Sequence, residues 1–305
     1  MVSETSIEGR SVRRAPARTG SAFYVAEQSD KPIVDILIEE RCPKTAAHWS
    51  WPIVRPVLYA ALGYRKARRM ADEITPLTGL QAFDRLSRQL NLDVVVNGQQ
   101  RIPREGRCVV VANHPTGLAD GIAMFDCLRD IRPDMTFFAN ADALRVNARF
   151  EDLIIPIEWV PEKRNTAKTK ETLRLAGEAF AQERCVVIFP SGRLAHRENG
   201  RLVDKDWFPT AVSLARKQKA PIVPMHIGAK NSSLYYALSA LSGELRDITL
   251  FNELLNKAGA PFDITVGPTI QPDRLKGDPA GLTTSLKGYV EHVLPNAPNA
   301  DFVTL

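Results

Sequence analysis

A histidine and an aspartate, the residue types best suited to proton transfer, stand six positions apart as His114 and Asp120. Residues 108–112 (CVVVA) are apolar and mostly β-branched, which is typical of a strand buried on both faces. Proline and glycine within residues 115–117 end this strand and permit a tight turn, and residues 118–128 (LADGIAMFDCL) have the composition of a helix. A histidine that follows a strand in this way is predicted to lie at the carboxyl edge of a sheet, where open α/β folds hold their sites.

The spacing of this pair allows two interpretations. In one continuous helix, six residues rotate the chain by about 600°, so the two side chains would point apart. If residues 115–117 loop out before the helix begins, His114 and Asp120 can face each other as a base and the carboxylate that holds its tautomer. Otherwise His114 is a partly buried histidine and Asp120 is a first-turn acid favoured by the helix dipole.

A second segment, residues 188–193 (IFPSGR), has the same design, since an apolar run opens into a turn rich in proline and glycine. Free backbone N–H groups at this turn and the guanidinium of Arg193 suit a phosphate group. A structural turn with an exposed arginine explains the segment equally well. Ser191 lacks the GxSxG setting of a nucleophile, so a lipase or esterase is disfavoured.

The elements that must position these segments alternate between short buried strands and amphipathic helices. This pattern predicts a three-layer α/β domain in which helices flank a mostly parallel central sheet, with a helical arm at the amino terminus. Strands are predicted at 92–96, 108–112, 135–139, 153–160, 185–189, 222–227 and 262–266, and helices at 80–90, 118–128, 166–182, 207–217, 232–241 and 282–293. Residues 1–22 are expected to form a disordered basic tail and residues 23–90 the arm, in which residues 33–38 fit a strand or a helix.

Composition limits the partners and the compartment. The net charge of +5 suits anionic partners. The four cysteines are scattered without a CxxC pattern, which predicts reduced, structural thiols. No stretch approaches the roughly 18 uncharged apolar residues of a spanning helix, and the amino terminus lacks the apolar core of a signal peptide. A cytoplasmic protein is expected, with no metal and no nucleic acid among its partners.

Residues 49–70 combine an apolar segment with aromatic and basic side chains. A helix is predicted from about Pro56, because Pro52 and Pro56 suit the entry of a helix better than its interior. The segment is either an interfacial membrane anchor or a packed helix with a solvated basic end. In the first case, the contact would consist of Trp49, Trp51, Tyr59, Tyr64, Arg65, Lys66, Arg68 and Arg69.

Together, NHPTGLAD at 113–120 and FPSGR at 189–193 resemble two blocks of the glycerolipid acyltransferase family, which includes the lysophosphatidate acyltransferases. In that family an Asn-His-x4-Asp block is catalytic, and a Phe-Pro-Glu-Gly-Thr-Arg block binds the acceptor's phosphate. Here one extra residue separates histidine from aspartate, Ser191 replaces the glutamate, and the threonine is missing. A bacterial branch with an NHPxGxxDG motif, labelled hemolysin-like or ornithine-lipid acyltransferases, is especially similar. The resemblance runs from about Gly98 to Gly267 and implies an acyltransferase domain over residues 91–305.

The resemblance implies that a fatty acyl group moves from acyl-CoA or acyl carrier protein to the hydroxyl of a lysolipid in bacterial membrane lipid synthesis. The acceptor would be of the lysophosphatidate or lyso-ornithine lipid type, and no further cofactor is implied. His114 would be the general base, and Asp120 would orient and stabilise its imidazolium. Substrate contacts are implied at Asn113, Gly117, Ser191, Gly192 and Arg193.

The resemblance also implies a peripheral protein on the inner face of the cell membrane, in contact with its anionic surface. The rival interpretation is a non-catalytic, membrane-surface lipid-binding protein that retains the acyltransferase fold. The replacement by Ser191 favours this rival, and the intact catalytic block favours the enzyme.

Overall fold

The computed structural model describes residues 21–23, 31–158, 160–198 and 200–304. Most of the basic tail predicted for residues 1–22 lies outside the described residues. The strands are β1 (Asp93–Asn97), β2 (Cys108–Ala112), β3 (Thr136–Asn140), β4 (Ile154–Ile157), β5 (Cys185–Ile188), β6 (His196–Glu198), β7 (Arg201–Val203), β8 (Ile222–Gly228) and β9 (Pro261–Val266). The helices are α1 (Ile33–Arg41), α2 (Pro43–Ala46), α3 (Trp51–Ala61), α4 (Tyr64–Ile74), α5 (Gly79–Leu90), α6 (Leu118–Leu128), α7 (Asp142–Val146), α8 (Thr166–Ala181), α9 (Thr210–Gln218), α10 (Ser233–Leu241), α11 (Gly243–Ile248), α12 (Leu250–Leu255) and α13 (Pro279–Gly288), and a π-helical turn follows at Tyr289–Val293.

Seven strands form one sheet in the order β1-β9-β8-β2-β5-β3-β4. The pairs from β8 across to β4 are parallel, as is the β1–β9 pair, and β8 and β9 run antiparallel. The predicted mostly parallel sheet flanked by helices is confirmed. The remaining two strands, β6 and β7, form a separate antiparallel hairpin between β5 and α9.

Strand β2 lies inside the sheet, and all of its side chains are buried. Cys108 and Val110 face a cluster that includes α5 and α6. Val109 and Val111 face a second cluster that includes α8, α9 and α13. Because successive side chains of a strand point to opposite faces, a strand covered by helices on both sides must be apolar at every position. The continuous apolar run before His114 follows from this packing.

The amino-terminal arm packs through its own cluster, in which α1, α3 and α4 meet α11. Residues 33–38, which fitted either a strand or a helix, lie in α1. Helix α3 begins at Trp51, so the predicted start at Pro56 is wrong. Pro52 occupies the first turn, where no N–H donor is needed, and both prolines are exposed. The carbonyl group that Pro56 leaves without a helical donor can therefore be solvated.

The aromatic residues of the arm are mostly packed inside it, which corrects the proposed membrane contact. Trp51 is buried and meets the ring of Tyr59 edge to face. The rings of Tyr59 and Tyr64 stack at a centroid distance of 4.3 Å, and the Tyr64 hydroxyl donates to Asp35. Aromatic side chains bury large areas when a neighbouring helix covers them, and here α1 and α4 do so. Of the four proposed aromatic residues, Trp49 alone is exposed.

Candidate active site

The structure brings His114 and Asp120 together at the carboxyl end of β2. The chain leaves β2 at Ala112 and loops through residues 113–117 before α6 begins. Nδ1 of His114 lies 2.9 Å from Oδ2 of Asp120, although the N–H direction is not aligned with that oxygen. Hydrogen bonds of this kind are often poorly aligned without substrate and tighten when it binds. The looped interpretation of the spacing is therefore the observed geometry.

The carboxylate of Asp120 is fully buried and accepts hydrogen bonds from the loop that precedes it. Oδ2 accepts from the backbone N–H of Thr116 at 2.9 Å and of Gly117 at 2.8 Å, and Oδ1 accepts from the Thr116 hydroxyl. A buried charge is tolerated when such donors replace the water molecules that would hydrate it in solution. These bonds also fix both carboxylate oxygens, so the one that faces His114 cannot rotate away.

Gly117 makes this arrangement sterically feasible. Its φ of 84° and ψ of −119° belong to a backbone region that residues other than glycine avoid. A Cβ at this position would also lie 2.9 Å from Leu194. Gly117 thus acts through its backbone, and its predicted contact with substrate stays a prediction.

One face of the His114 imidazole ring packs against residues 188–193. Its ring stacks on Phe189 at a centroid distance of 4.4 Å and an angle of 22°. The N–H of Ala195 donates to the His114 carbonyl at 3.0 Å. With Nδ1 turned to Asp120, Nε2 is the nitrogen left for a substrate, and 18% of the side chain is exposed.

The turn that carries Ser191, Gly192 and Arg193 is closed by its own groups. The Ser191 hydroxyl donates to the Arg193 carbonyl at 2.8 Å, and Gly192 has a φ of 59°. Ser191 is buried, so its side chain serves the turn. Arg193 is exposed, and no ion pair links it to a described residue. Its guanidinium is available for an anion, whereas the predicted substrate roles of Ser191 and Gly192 stay predictions.

Asn113 connects the site to the neighbouring strand. Its amide donates to the carbonyl of Ile227 at 3.0 Å and accepts the N–H of the same residue at 2.7 Å. Through these two bonds the Asn113 side chain continues the pairing of β2 with β8 beyond the last backbone pair, and this fixes where the loop begins. Its predicted contact with substrate stays a prediction.

Sequence reasoning missed a buried carboxylate, Asp204, that lies behind His114. Both of its oxygens accept the backbone N–H of His114, at 3.1 and 3.2 Å, and Oδ2 accepts the indole N–H of Trp207 at 2.9 Å. Burial raises the pKa of Asp204 to about 6, and the two donors partly offset that rise. The polar sequence around it carries no motif, so the signal emerges only from the fold.

The loop after β8 forms another wall of the site, which the sequence analysis also missed. Asn231 donates a long bond of 3.4 Å to the carbonyl of Pro115, and its own N–H donates to the Tyr236 hydroxyl at 3.1 Å. The guanidinium of Arg197, on β6, lies 4.7 Å from the centre of the Tyr236 ring. Three chain segments that are distant in sequence thus surround His114.

Comparisons with known proteins find similarity to acyltransferases. Residues 93–228 match the acyltransferase family. The lyso-glycine lipid O-acyltransferases of Phocaeicola vulgatus and Bacteroides thetaiotaomicron are 25% and 26% identical to the chain in alignments of 188 residues, which cover 59% of this chain. The match spans 65% of the first relative and 67% of the second. Among solved structures, the 1-acyl-sn-glycerophosphate (LPA) acyltransferase PlsC of Thermotoga maritima is 17% identical with a TM-score of 0.45, covering 87% of this chain and 98% of that one.

The strain at Gly117 gives a direct test of the loop. Gly117→Ala should lower the free energy of unfolding by about 2 kcal/mol, because alanine must adopt a positive φ and displace Leu194. Gly121→Ala is the matched control, since an added Cβ there meets no heavy atom within 4 Å and helix propensity favours alanine by about 1 kcal/mol. Denaturant unfolding measures both, and equal stability of the two variants would contradict the assigned constraint.

Proposed function

We propose, because residues 93–228 match the acyltransferase family, that this chain transfers an acyl group from a thioester to a lysolipid hydroxyl. One observation carries the proposal: a half-buried histidine faces a buried carboxylate and keeps one ring nitrogen for substrate. The pair lies inside the family segment, as does Arg193. The names of the two relatives support a lysolipid as acceptor.

The geometry supports general-base catalysis without a covalent enzyme intermediate. Nε2 of His114 takes the hydroxyl proton while the hydroxyl oxygen attacks the thioester carbonyl. When the C–S bond breaks, the imidazolium returns that proton to the leaving thiolate, and the acyl ester is released. Asp120 stabilises the imidazolium between these steps. General-base catalysis of this type accelerates a reaction by about 10²–10⁴-fold.

The start of α6 supplies donors for the oxyanion that forms in this reaction. The first N–H groups of a helix have no acceptor within it. Those of Thr116 and Gly117 are engaged by Asp120, and the N–H of Asp120 donates to the Gly117 carbonyl. The N–H groups of residues 118 and 119 make no hydrogen bond to a described residue, and such free donors favour binding of the developing negative charge.

Arg193 is the residue that best fits the anionic head group of the acceptor. It is exposed, lies on the segment that packs on His114, and has a planar fork that binds carboxylate or phosphate through two bonds. Lysolipids of the lysophosphatidate type carry such a phosphate, and those of the lyso-amino-acid type, such as lyso-ornithine or lyso-glycine lipid, carry such a carboxylate. The acyl donor is acyl-CoA or acyl carrier protein.

A lipid acceptor requires contact with a membrane surface. No helix in the described part of the chain has the length and apolar composition needed to span a bilayer. Helix α3 instead presents apolar side chains to solvent: Ile53 is 69% exposed, Val57 71% and the preceding Trp49 78%. The basic residues 65, 66, 68 and 69 are exposed on the adjacent α4. This pairing of an apolar and a basic surface favours peripheral binding to an anionic membrane.

Replacement of the base distinguishes the enzyme from the non-catalytic lipid binder. His114→Ala should reduce acyl transfer by about 10³-fold, because the hydroxyl loses its proton acceptor. Purified protein is assayed with labelled acyl-CoA or acyl carrier protein and a panel of lysolipids. His292→Ala, which removes an exposed histidine, is the control and should keep full activity. Activity of His114→Ala within a few fold of wild type would favour the non-catalytic interpretation.

Arg193→Lys tests the head-group contact. Lysine keeps the charge but loses the planar fork, so the KM for the lysolipid should rise about fivefold to tenfold while kcat changes little. Arg201→Lys, at another exposed arginine on β7, is the matched control. A rise confined to the KM of the acyl donor would overturn the assignment.

The exposed face of α3 is tested by vesicle binding. The double change Ile53→Ser and Val57→Ser should weaken co-sedimentation with anionic vesicles by about tenfold or more, since each apolar side chain contributes roughly 1 kcal/mol or more on burial. The control changes Val95→Ser and Leu173→Ser remove equally apolar side chains that are half exposed elsewhere. Unchanged vesicle binding of the α3 variant would place the membrane contact on another surface.

A further inference from the structure

One buried titratable group beside the histidine, Asp204, takes no part in the proton transfers of acyl transfer. Asp204 follows β7, and 2% of its surface is exposed. Its carboxylate contacts the backbone N–H of His114 with both oxygens. Its own N–H donates to Oε1 of Glu291 at 2.7 Å. Asp204 therefore connects the histidine loop to the π-helical turn at the carboxyl-terminal side of the domain.

Trp207 holds the other side of this carboxylate. Its indole N–H lies 2.9 Å from Oδ2, and its ring is buried in the cluster that packs on Val109 and Val111 of β2. Both hydrogen-bond donors to the carboxylate are neutral. The charged groups that face Asp204 are His114 itself and Glu291, and Glu291 lies 3.8 Å from Lys287.

The burial of Asp204 works against stability at neutral pH. The pKa of Asp204 is raised to about 6 chiefly because burial disfavours its charged form. A carboxyl group whose pKa is raised on folding favours the folded state at low pH, and this contribution is lost as the pH rises through about 6. At neutral pH the ionised group is thus a cost to folding, which its hydrogen bonds to His114 and Trp207 offset only in part. Such costs are commonly found at functional sites.

We propose that Asp204 is a positioning residue for acyl transfer: its ionised carboxylate fixes the backbone of His114 and stabilises the imidazolium that forms there. This inference rests on the proposed function. Asp120 orients the ring from the Nδ1 side, whereas Asp204 anchors the same residue through its main chain. The imidazolium is then flanked by two carboxylates, of which only Asp120 contacts the ring.

Protonation of Asp204 removes this support. Both oxygens face N–H donors, so an added proton has no acceptor in the cluster and displaces either His114 or Trp207. Activity should fall as the pH falls through about 6, in addition to the loss caused by protonation of the histidine base.

The test compares Asp204→Asn with Asp206→Asn, which removes an exposed carboxylate from the same segment. Asp204→Asn should lower kcat about tenfold or more and leave both KM values within twofold. In the wild type and in Asp206→Asn, the acid limb of kcat/KM against pH should have a limiting slope above one, and in Asp204→Asn it should fall to one. A kcat of Asp204→Asn within twofold of wild type overturns the proposal. So does a loss of kcat that tracks a lower thermal midpoint while the pH profile is unchanged.

Trp207→Phe provides a second variant should Asp204→Asn fail to fold. It removes a donor that lowers the pKa of Asp204, so the acid limb should move to higher pH. If the acid limb of the pH profile lies at the same pH in Trp207→Phe as in the wild type, the proposal is overturned.

A readout without substrate separates this inference from the proposed function. The indole N–H resonance of Trp207 should titrate near pH 6 in wild type and in Asp206→Asn, and should not titrate in Asp204→Asn. If the indole N–H resonance of the wild type does not change with pH, the assigned contact between Trp207 and Asp204 is overturned. A wild type that acylates no lysolipid, but whose indole titrates, overturns the proposed function and with it the positioning role of Asp204.

Discussion

The site depends on one buried carboxylate that closes the turn from which it projects. Asp120 sits in the first turn of α6 and accepts the N–H groups of Thr116 and Gly117, the two residues just before the helix. The same bonds satisfy the buried charge, end the loop and aim one oxygen at His114. If the turn opened, the carboxylate would be buried without donors, at a cost of several kcal/mol. The geometry of the histidine is therefore coupled to the stability of the helix start.

The parallel arrangement of the central strands explains why distant segments meet at this turn. Strands β8, β2 and β5 are neighbours and run in the same direction, so the loops that follow them share one edge. Each loop contributes a different element: β2 the histidine pair, β5 the ring of Phe189 and the exposed Arg193, and β8 the contact of Asn231 with Pro115. The hairpin of β6 and β7 then returns the chain so that Asp204 reaches the back of His114. A rigid sheet thereby positions a site made almost entirely of loop residues.

The alternation of apolar runs with amphipathic segments predicted the sheet and its flanking helices, because burial on both faces leaves a strong signal in each strand. The sequence pattern did not predict which side chains are covered by other helices, because tertiary packing determines that. Composition suggested that Trp51, Tyr59 and Tyr64 face a membrane, but α1 and α4 cover them, and no local pattern encodes that cover. The spacing of His114 and Asp120 left their orientation open until the loop was seen. Asp204 could not be found at all, since its partner lies 90 positions earlier in the chain.

The residue that departs from the family pattern has a definite place in this structure. Where the resembling family has a glutamate, Ser191 is buried and bonds to the carbonyl of Arg193, so it stabilises the turn. Arg193 itself is exposed, and the guanidinium of the next arginine in the segment, Arg197, lies over the ring of Tyr236. Neither arginine forms an ion pair with a described carboxylate, so both guanidinium groups are open to an anion.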